Sequence, residues 1–239
     1  MKRVLVSGGS GAIGSAICSV LSSAGWEVII HANANLARAA ALADEITTAG
    51  GRAQAVQFDI VDGAKTLSVL SSLLEAGPIQ GIVHNAGIHD DAPMAGMSAR
   101  QWHSVIDVSL NGFFNVTQPL LLPMMRTRWG RIVALSSVSG IIGNRGQANY
   151  AAAKAGLHGA VRSLALEIGS RGVTVNCVAP GIVDTPMTAG LFDDARIKKL
   201  VPLQRAGTPQ EVAGLVEFLM SARAGYITGQ VVSINGGMA

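Results

Sequence analysis

Cysteine is scarce: Cys18 and Cys177 are the two in 239 residues, and they lie far apart in apolar surroundings. That placement argues against a disulfide framework and for two buried thiols in a reducing compartment. Charge is also sparse, with 14% of residues charged and a net charge of +3. No run of Lys or Arg exceeds two residues, so the basic footprint of a nucleic-acid binder is missing. No apolar stretch reaches the ~18 residues of a membrane span. The opening Met1-Lys2-Arg3-Val4-Leu5-Val6 mimics a secretory leader, but glycines and serines from Ser7 to Gly11 interrupt it at once. A cytoplasmic protein is expected. Internal repeats and linkers are absent too, so residues 1–239 read as one domain.

What the chain does have is apolar substance, 49% of residues, and 29 glycines without a fixed period. That is enough for one α/β core. Strands are expected at 4–6, 27–30, 53–58, 81–84, 131–135, 173–178 and 230–234. Helices are expected between them, at 13–24, 36–49, 62–75, 101–126, 150–169 and 209–220, the fourth starting after Ser98 as N-cap. Pro119 and Pro123 predict a bend or an early end in that fourth helix. Strands alternating with helices give βαβ units, hence a parallel sheet with helices on both faces.

Two stretches carry chemistry. Ser7-Gly8-Gly9-Ser10-Gly11-Ala12-Ile13-Gly14 follows a strand and opens a helix. Glycines let backbone approach a pyrophosphate, and a helix N-terminus offers free N–H groups to an anion. Taken alone, the stretch is equally a tight βα turn. The second strand is followed by His31-Ala32-Asn33-Ala34-Asn35, with no carboxylate to bond a ribose 2′-hydroxyl. This favours NADP(H), with NAD(H) still open. Arg38 either reaches a 2′-phosphate or is ordinary helix surface. The second stretch is Asn149-Tyr150-Ala151-Ala152-Ala153-Lys154. Alanines make it helical, and positions i and i+4 share a face. A neighbouring ammonium favours phenolate, so Lys154 is expected to lower the Tyr150 pKa and fit it for general-acid work. By itself the pair is too short to exclude a surface contact.

Six motifs then agree in order. Ser7-Gly8-x-x-x-Ala12-x-Gly14, Asp59-Ile60, Asn85-Ala86-Gly87, Ser137, Tyr150-x-x-x-Lys154 and Pro180-Gly181 resemble the short-chain dehydrogenase/reductase superfamily over nearly the whole chain. Asn144-x-Gly146-Gln147-x-Asn149-Tyr150 and Ile227-Thr228-Gly229-Gln230 with Asn235-Gly236-Gly237 resemble the bacterial 3-oxoacyl-[acyl-carrier-protein] reductases in particular. The run from Leu135 to Gly140, with Gly143-Asn144-Arg145-Gly146-Gln147, is also similar to the ketoreductases of aryl polyene biosynthesis.

The resemblance implies a Rossmann-type, doubly wound, three-layer α/β/α fold and hydride transfer from a nicotinamide cofactor to a ketone. It gives Tyr150 the role of proton donor and Ser137 that of carbonyl hydrogen-bond donor. Lys154 would tune Tyr150 and hold the nicotinamide ribose. Ser10, Gly11 and Ile13 join Ser7, Gly8, Ala12 and Gly14 in the phosphate loop, with His31 and Asn33 at the next strand end. Asp59-Ile60 would meet the adenine, Asn85-Ala86-Gly87 its ribose, and Pro180, Gly181, Ile182 and Thr185 the nicotinamide. Two positions depart from the family pattern. Ala12 replaces a glycine, tolerable if its φ is negative. Ser109 stands where the family places an Asn that feeds protons to Lys154, and Asn111 is a decoy by spacing. Arg128 and Arg171 fall where docking arginines for an acidic acyl carrier protein are expected, beside the cleft. Residues 184–205, with Leu191, Phe192, Ile197 and Leu200, would form a lid. A homotetramer is implied, and no metal. Two other readings stand beside the thioester reductase: an alcohol, sugar or steroid dehydrogenase on the same scaffold, and a non-catalytic cofactor-binding subunit, which Ser109 alone supports.

Overall fold

The computed structural model describes residues 1–190 and 192–239. Its strands are β1 (Arg3–Ser7), β2 (Glu27–Ala32), β3 (Arg52–Gln57), β4 (Gly81–His84), β5 (Gly130–Leu135), β6 (Val173–Pro180) and β7 (Val231–Ile234). All pair in parallel, in the order β3-β2-β1-β4-β5-β6-β7. Strands β1, β4, β5 and β6 are buried at every residue. A parallel strand covered on both faces is mostly apolar, as Val4-Leu5-Val6 and Ile132-Val133-Ala134-Leu135 are, and polar residues such as Arg3, His84 and Asn176 are buried with hydrogen-bond partners. Edge strand β3 instead alternates exposed and half-buried positions.

Helices α1 (Ala12–Ser23), α2 (Leu36–Thr48) and α9 (Pro209–Met220) cover one face. There Ile17, Leu21, Ile46 and Val216 pack against Val4, Val6 and Ile30. Helices α3 (Gly63–Glu75), α5 (Gly112–Arg126) and α7 (Ala148–Ile168) cover the other, where Leu70, Leu120 and Leu157 pack against Leu5 and Ile132. Val4 and Leu5 point to opposite cores because side chains alternate along a strand. The expected three-layer, doubly wound sheet is present.

The prolines behave differently from expectation. α5 runs unbroken through Pro119 and Pro123 to Arg126. They stand one turn apart on a half-exposed side of the helix, where water can satisfy the carbonyls that lose an N–H partner. The irregularity sits upstream: between α4 (Ala99–Ile106) and α5, residues Asp107–Asn111 form a π-helical segment. α4 starts with a capping box, Ser98 with Gln101. A short helix, α6 (Ser139–Ile142), stands in the expected loop before α7, and α8 (Asp194–Leu200) in the 182–208 region. Phe192 and Ile197 are half-buried and Leu200 is exposed, while Leu191 lies outside the described residues.

Candidate active site

β1 and β4 are neighbours in the sheet although α1 covers one face and α3 the other, so a crevice opens at their carboxyl ends. The glycine loop leaves β1 there. Gly11 is the N-cap of α1 and supplies no side-chain cap, so the first-turn N–H groups are left for an anion. Ala12 begins α1 and is not among the residues with positive φ, so its methyl is accommodated. Gly14 sets the close approach: a Cβ there would lie 2.2 Å from the Gly8 carbonyl oxygen and 2.9 Å from Asn85 Nδ2. Gly14→Ala is expected to cost about 2 kcal/mol or more, read as a Tm fall of about 5 °C, with dinucleotide affinity lost in parallel. An unchanged Tm and affinity would show that the loop can yield.

His31 does not line the crevice. It is buried, with Nδ1 accepting the Gly8 N–H at 3.1 Å and Nε2 2.8 Å from the Phe58 carbonyl oxygen. It braces the loop from beneath, and burial lowers its pKa. The Ser7 hydroxyl is also internal, accepting from Asn85 and Ala86 N–H at 3.1 Å. Ser10, Gly11, Ile13 and Asn33 keep exposed surface at the crevice, whereas the Ile60 side chain is buried in the core. Asp59 is exposed, and one carboxylate oxygen accepts the Val61 N–H at 2.9 Å. Asn85 Nδ2 donates to the Ser7 and Gly8 carbonyls and ties β4 to the loop. Arg38 is exposed at the start of α2, its backbone N–H held by the Asn35 cap.

Strand alternation sorts the serines that follow β5. Ser136 is buried; its Oγ donates to the Lys154 carbonyl at 3.0 Å and pairs with His158 Nε2 at 2.7 Å. Ser139 Oγ donates to Gln147. Ser137 is half-buried, its Oγ accepts the Ser139 N–H at 3.1 Å, and it lies close enough to the Tyr150 phenol to act on its pKa. Asn149, buried one residue before, ties α7 to the carbonyls of Asp90 and Gln101 and accepts the Tyr150 N–H. Lys154 is buried, with Nζ donating to the Leu135 carbonyl at 2.7 Å and lying 5.6 Å from the Tyr150 ring centre.

Their titration differs from the sequence expectation. Burial raises the Tyr150 pKa; the Ser137 hydrogen bond opposes this, and the Asp91 charge adds to it. Burial lowers Lys154 to about 8. Lys154 therefore does not hold the phenol below its ordinary value in this structure. Desolvation of the phenolate outweighs an ammonium that is itself desolvated and turned toward Leu135. The phenol stays protonated at neutral pH, the state a proton donor needs.

Ser109 lies in the π-helical segment, fully buried, its Oγ without a protein partner. A Cβ built on Gly87 would lie 3.0 Å from Lys154 Nζ and 3.6 Å from Ser109 Oγ, so both groups border the same space. Asn111 points away: it is exposed, and its Nδ2 donates to Asp107 Oδ1 at 2.7 Å. At the crevice's other wall, Gly181 N–H donates to the Ile234 carbonyl, and Thr185 Oγ1 lies 3.2 Å from Thr188 Oγ1. Ile182 between them is half-buried.

A family model described as enoyl-(acyl carrier protein) reductase matches residues 8–239. The chain is 42% identical over 240 residues to a 3-oxoacyl-[acyl-carrier-protein] reductase of Escherichia coli (strain K12), covering 99% of this chain and 97% of that one. The chain belongs to the short-chain dehydrogenase/reductase family. A reductase of the same name from Aggregatibacter actinomycetemcomitans is 41% identical over 99% of both chains. A nodulation protein G of Azospirillum brasilense is 39% identical over 99% of this chain and 98% of its own.

Within this family chain the two expected docking arginines are not beside the crevice. Arg128 precedes β5 and Arg171 precedes β6, and Arg128 Nη2 lies 3.5 Å from the Ser170 carbonyl. Both therefore stand at the amino ends of strands whose carboxyl ends carry Ser137 and Pro180. A six-residue strand puts about 20 Å between the two ends. Sequence reasoning also missed His84, which closes β4 inside the protein. A titratable side chain ending an aliphatic strand immediately before Asn85-Ala86-Gly87 was the available signal. Among the described residues, no helix is long and apolar enough to cross a membrane.

Proposed function

We propose that this chain reduces a 3-oxoacyl thioester, carried by an acyl carrier protein, to the 3-hydroxyacyl thioester, with NADPH as donor. The observation that carries the reading is the cluster of Ser137, Tyr150 and Lys154 beside an uncapped glycine loop. The printed substrate of relatives about 40% identical over the whole chain supports it.

The bound dinucleotide supplies the hydride. Tyr150 gives its phenolic proton to the ketone oxygen, and Ser137 hydrogen-bonds that oxygen as charge develops. Lys154 has spent one N–H on Leu135. Its others are available to the nicotinamide ribose and to Tyr150. The α1 N-terminus with Ser10 to Ile13 would hold the pyrophosphate. Asp59, with one carboxylate oxygen unused by Val61, would take the adenine amino group. Asn85-Ala86-Gly87 would flank the adenosine ribose, and Pro180 to Ile182 with Thr185 the nicotinamide.

β2 ends at Ala32 and is followed by Asn33, so an unphosphorylated ribose finds no carboxylate there. Steady-state turnover of carrier-bound 3-oxoacyl chains and acetoacetyl-CoA is expected to favour NADPH over NADH by at least about tenfold in kcat/KM. Equal turnover would remove the NADP preference. Absence of turnover with both thioesters, alongside oxidation of simple alcohols, would replace the substrate. Comparing carriers of fatty-acid and aryl polyene synthesis in the same assay assigns the pathway.

We place the enzyme in the cytoplasm as a homotetramer. Phe114 and Leu122 on α5 and Leu166 on α7, helices that cover the same face of the sheet, support assembly, being 64%, 66% and 88% exposed. Arg128 and Arg171 serve carrier docking only if a carrier bound at that end of one chain delivers its arm to a neighbouring chain's crevice.

A further inference from the structure

His84 closes β4 and is fully buried. Its ring nitrogens have unlike partners. Nε2 lies 2.9 Å from the Ser109 carbonyl oxygen, inside the π-helical segment. Nδ1 lies 3.2 Å from Ser7 Oγ. That hydroxyl already accepts two backbone N–H groups, those of Asn85 and Ala86. A hydroxyl has two acceptor sites and one proton, so the proton goes to His84 Nδ1. A carbonyl only accepts, so Nε2 carries the imidazole hydrogen. The partners admit one form, the neutral Nε2–H tautomer. Full burial opposes the imidazolium as well, pushing the His84 pKa down to about 3, with the Lys154 charge adding to the effect.

Beyond that link lies the unpaired Ser109 hydroxyl. A π turn widens a helix and displaces its hydrogen-bond ladder, and such turns recur at functional sites. His84 supplies a side-chain donor to a carbonyl within this one. A serine also reaches less far than an asparagine, so at position 109 its backbone has to be held close to the space it serves.

We propose that His84 is a positioning residue for Ser109. It clamps the π-helical segment to β1, the strand that carries the glycine loop, and so holds the Ser109 hydroxyl beside Lys154, where it serves proton supply to Tyr150. The proposal rests on the reductase reading for its catalytic half, but the wiring itself can be read without substrate.

Histidine ¹⁵N NMR of the unaltered protein is expected to show His84 neutral and protonated on Nε2 between about pH 5 and pH 8. An Nδ1–H tautomer, or an imidazolium in that range, overturns the clamp whether or not a thioester is turned over. Kinetics test the consequence with His84→Asn, Ser109→Ala and the double variant. Each single change is expected to lower kcat about tenfold and raise its solvent deuterium isotope effect. The KM for NADPH should stay within about twofold, and the double variant should be no slower than the slower single one. Multiplicative losses, or a slower His84→Asn with an unchanged isotope effect, would reduce His84 to a structural residue and overturn the proposal. If the unaltered protein reduces no 3-oxoacyl thioester, the reductase reading fails while the NMR result still decides the wiring. That result also stands if His84→Asn does not fold.

Discussion

Tyr150→Phe is expected to lower kcat for ketone reduction by about 10³-fold, with NADPH still bound. The substitution removes one oxygen from a half-buried ring on α7 and leaves its packing in place. What disappears is the proton donor, held protonated at neutral pH because burial raises the phenol pKa. Ser137 remains to hydrogen-bond the ketone oxygen but cannot replace that donor, since its hydroxyl is far less acidic. Steady-state kinetics with a fluorescence titration of NADPH separate the two effects. Retained turnover would remove Tyr150 from the chemistry, whereas lost NADPH binding would make it a cofactor residue first.

Lys154→Met is expected to abolish turnover to a similar degree while making the cofactor-free protein more heat-stable at pH 7. Burial lowers the Lys154 pKa from its ordinary 10.5 to about 8. Below pH 8 both folded and unfolded chains carry the proton, so the folded state bears the full desolvation penalty. As pH rises from about 8 to 10.5, the folded protein releases the proton first and the unfolded chain binds more. Stability therefore rises with pH across that window. Methionine removes the penalty, on the order of 3 kcal/mol, and orphans the Leu135 carbonyl at a cost of about 1–2 kcal/mol. The difference favours the variant by roughly 1 kcal/mol, a Tm gain of about 2–4 °C for a domain of this size. The stability rise between pH 8 and 10.5 should also flatten. A lower Tm at pH 7 would mean that the Leu135 bond outweighs desolvation. On the proposed mechanism the cluster gives up stability for function, keeping a charge buried where the reaction would use it.

How far the residues alone led depends on the kind of information each motif carries. Strand-glycine-helix at Ser7–Gly14, the βαβ alternation and the Tyr150/Lys154 spacing are local patterns, and local patterns set element type and face. They placed the sheet, the crevice and the reacting pair. The aliphatic stretches inside β1, β5 and β6 were legible because a strand covered on both faces is mostly apolar, whereas the buried His84, Arg131 and Asn176 depend on partners that a sequence does not state. Pro119 and Pro123 misled because a proline's cost depends on whether water reaches the freed carbonyls, which a sequence does not state. Arg128 and Arg171 precede β5 and β6 and so stand at the amino ends of these strands within one chain; whether they dock a carrier depends on how chains assemble, which a single sequence does not state.

What the sequence determined by itself was the family and the layered fold, and it singled out Ser137, Tyr150 and Lys154 as the candidate reacting groups. What only the tertiary structure decided was which polar groups meet across elements. His31 turned out to brace the loop rather than line the crevice. Ser136 is buried against the Lys154 carbonyl and His158, a pairing that no sequence motif states. Register already preferred Ser109 to Asn111; the structure added that a π-helical segment holds Ser109 buried beside Lys154 while Asn111 is exposed. Proton affinities were decided there as well. Lys154 and Tyr150 are four residues apart in any helix, but whether one lowers the other's pKa depends on how much water each has lost, and burial is a property of the folded chain.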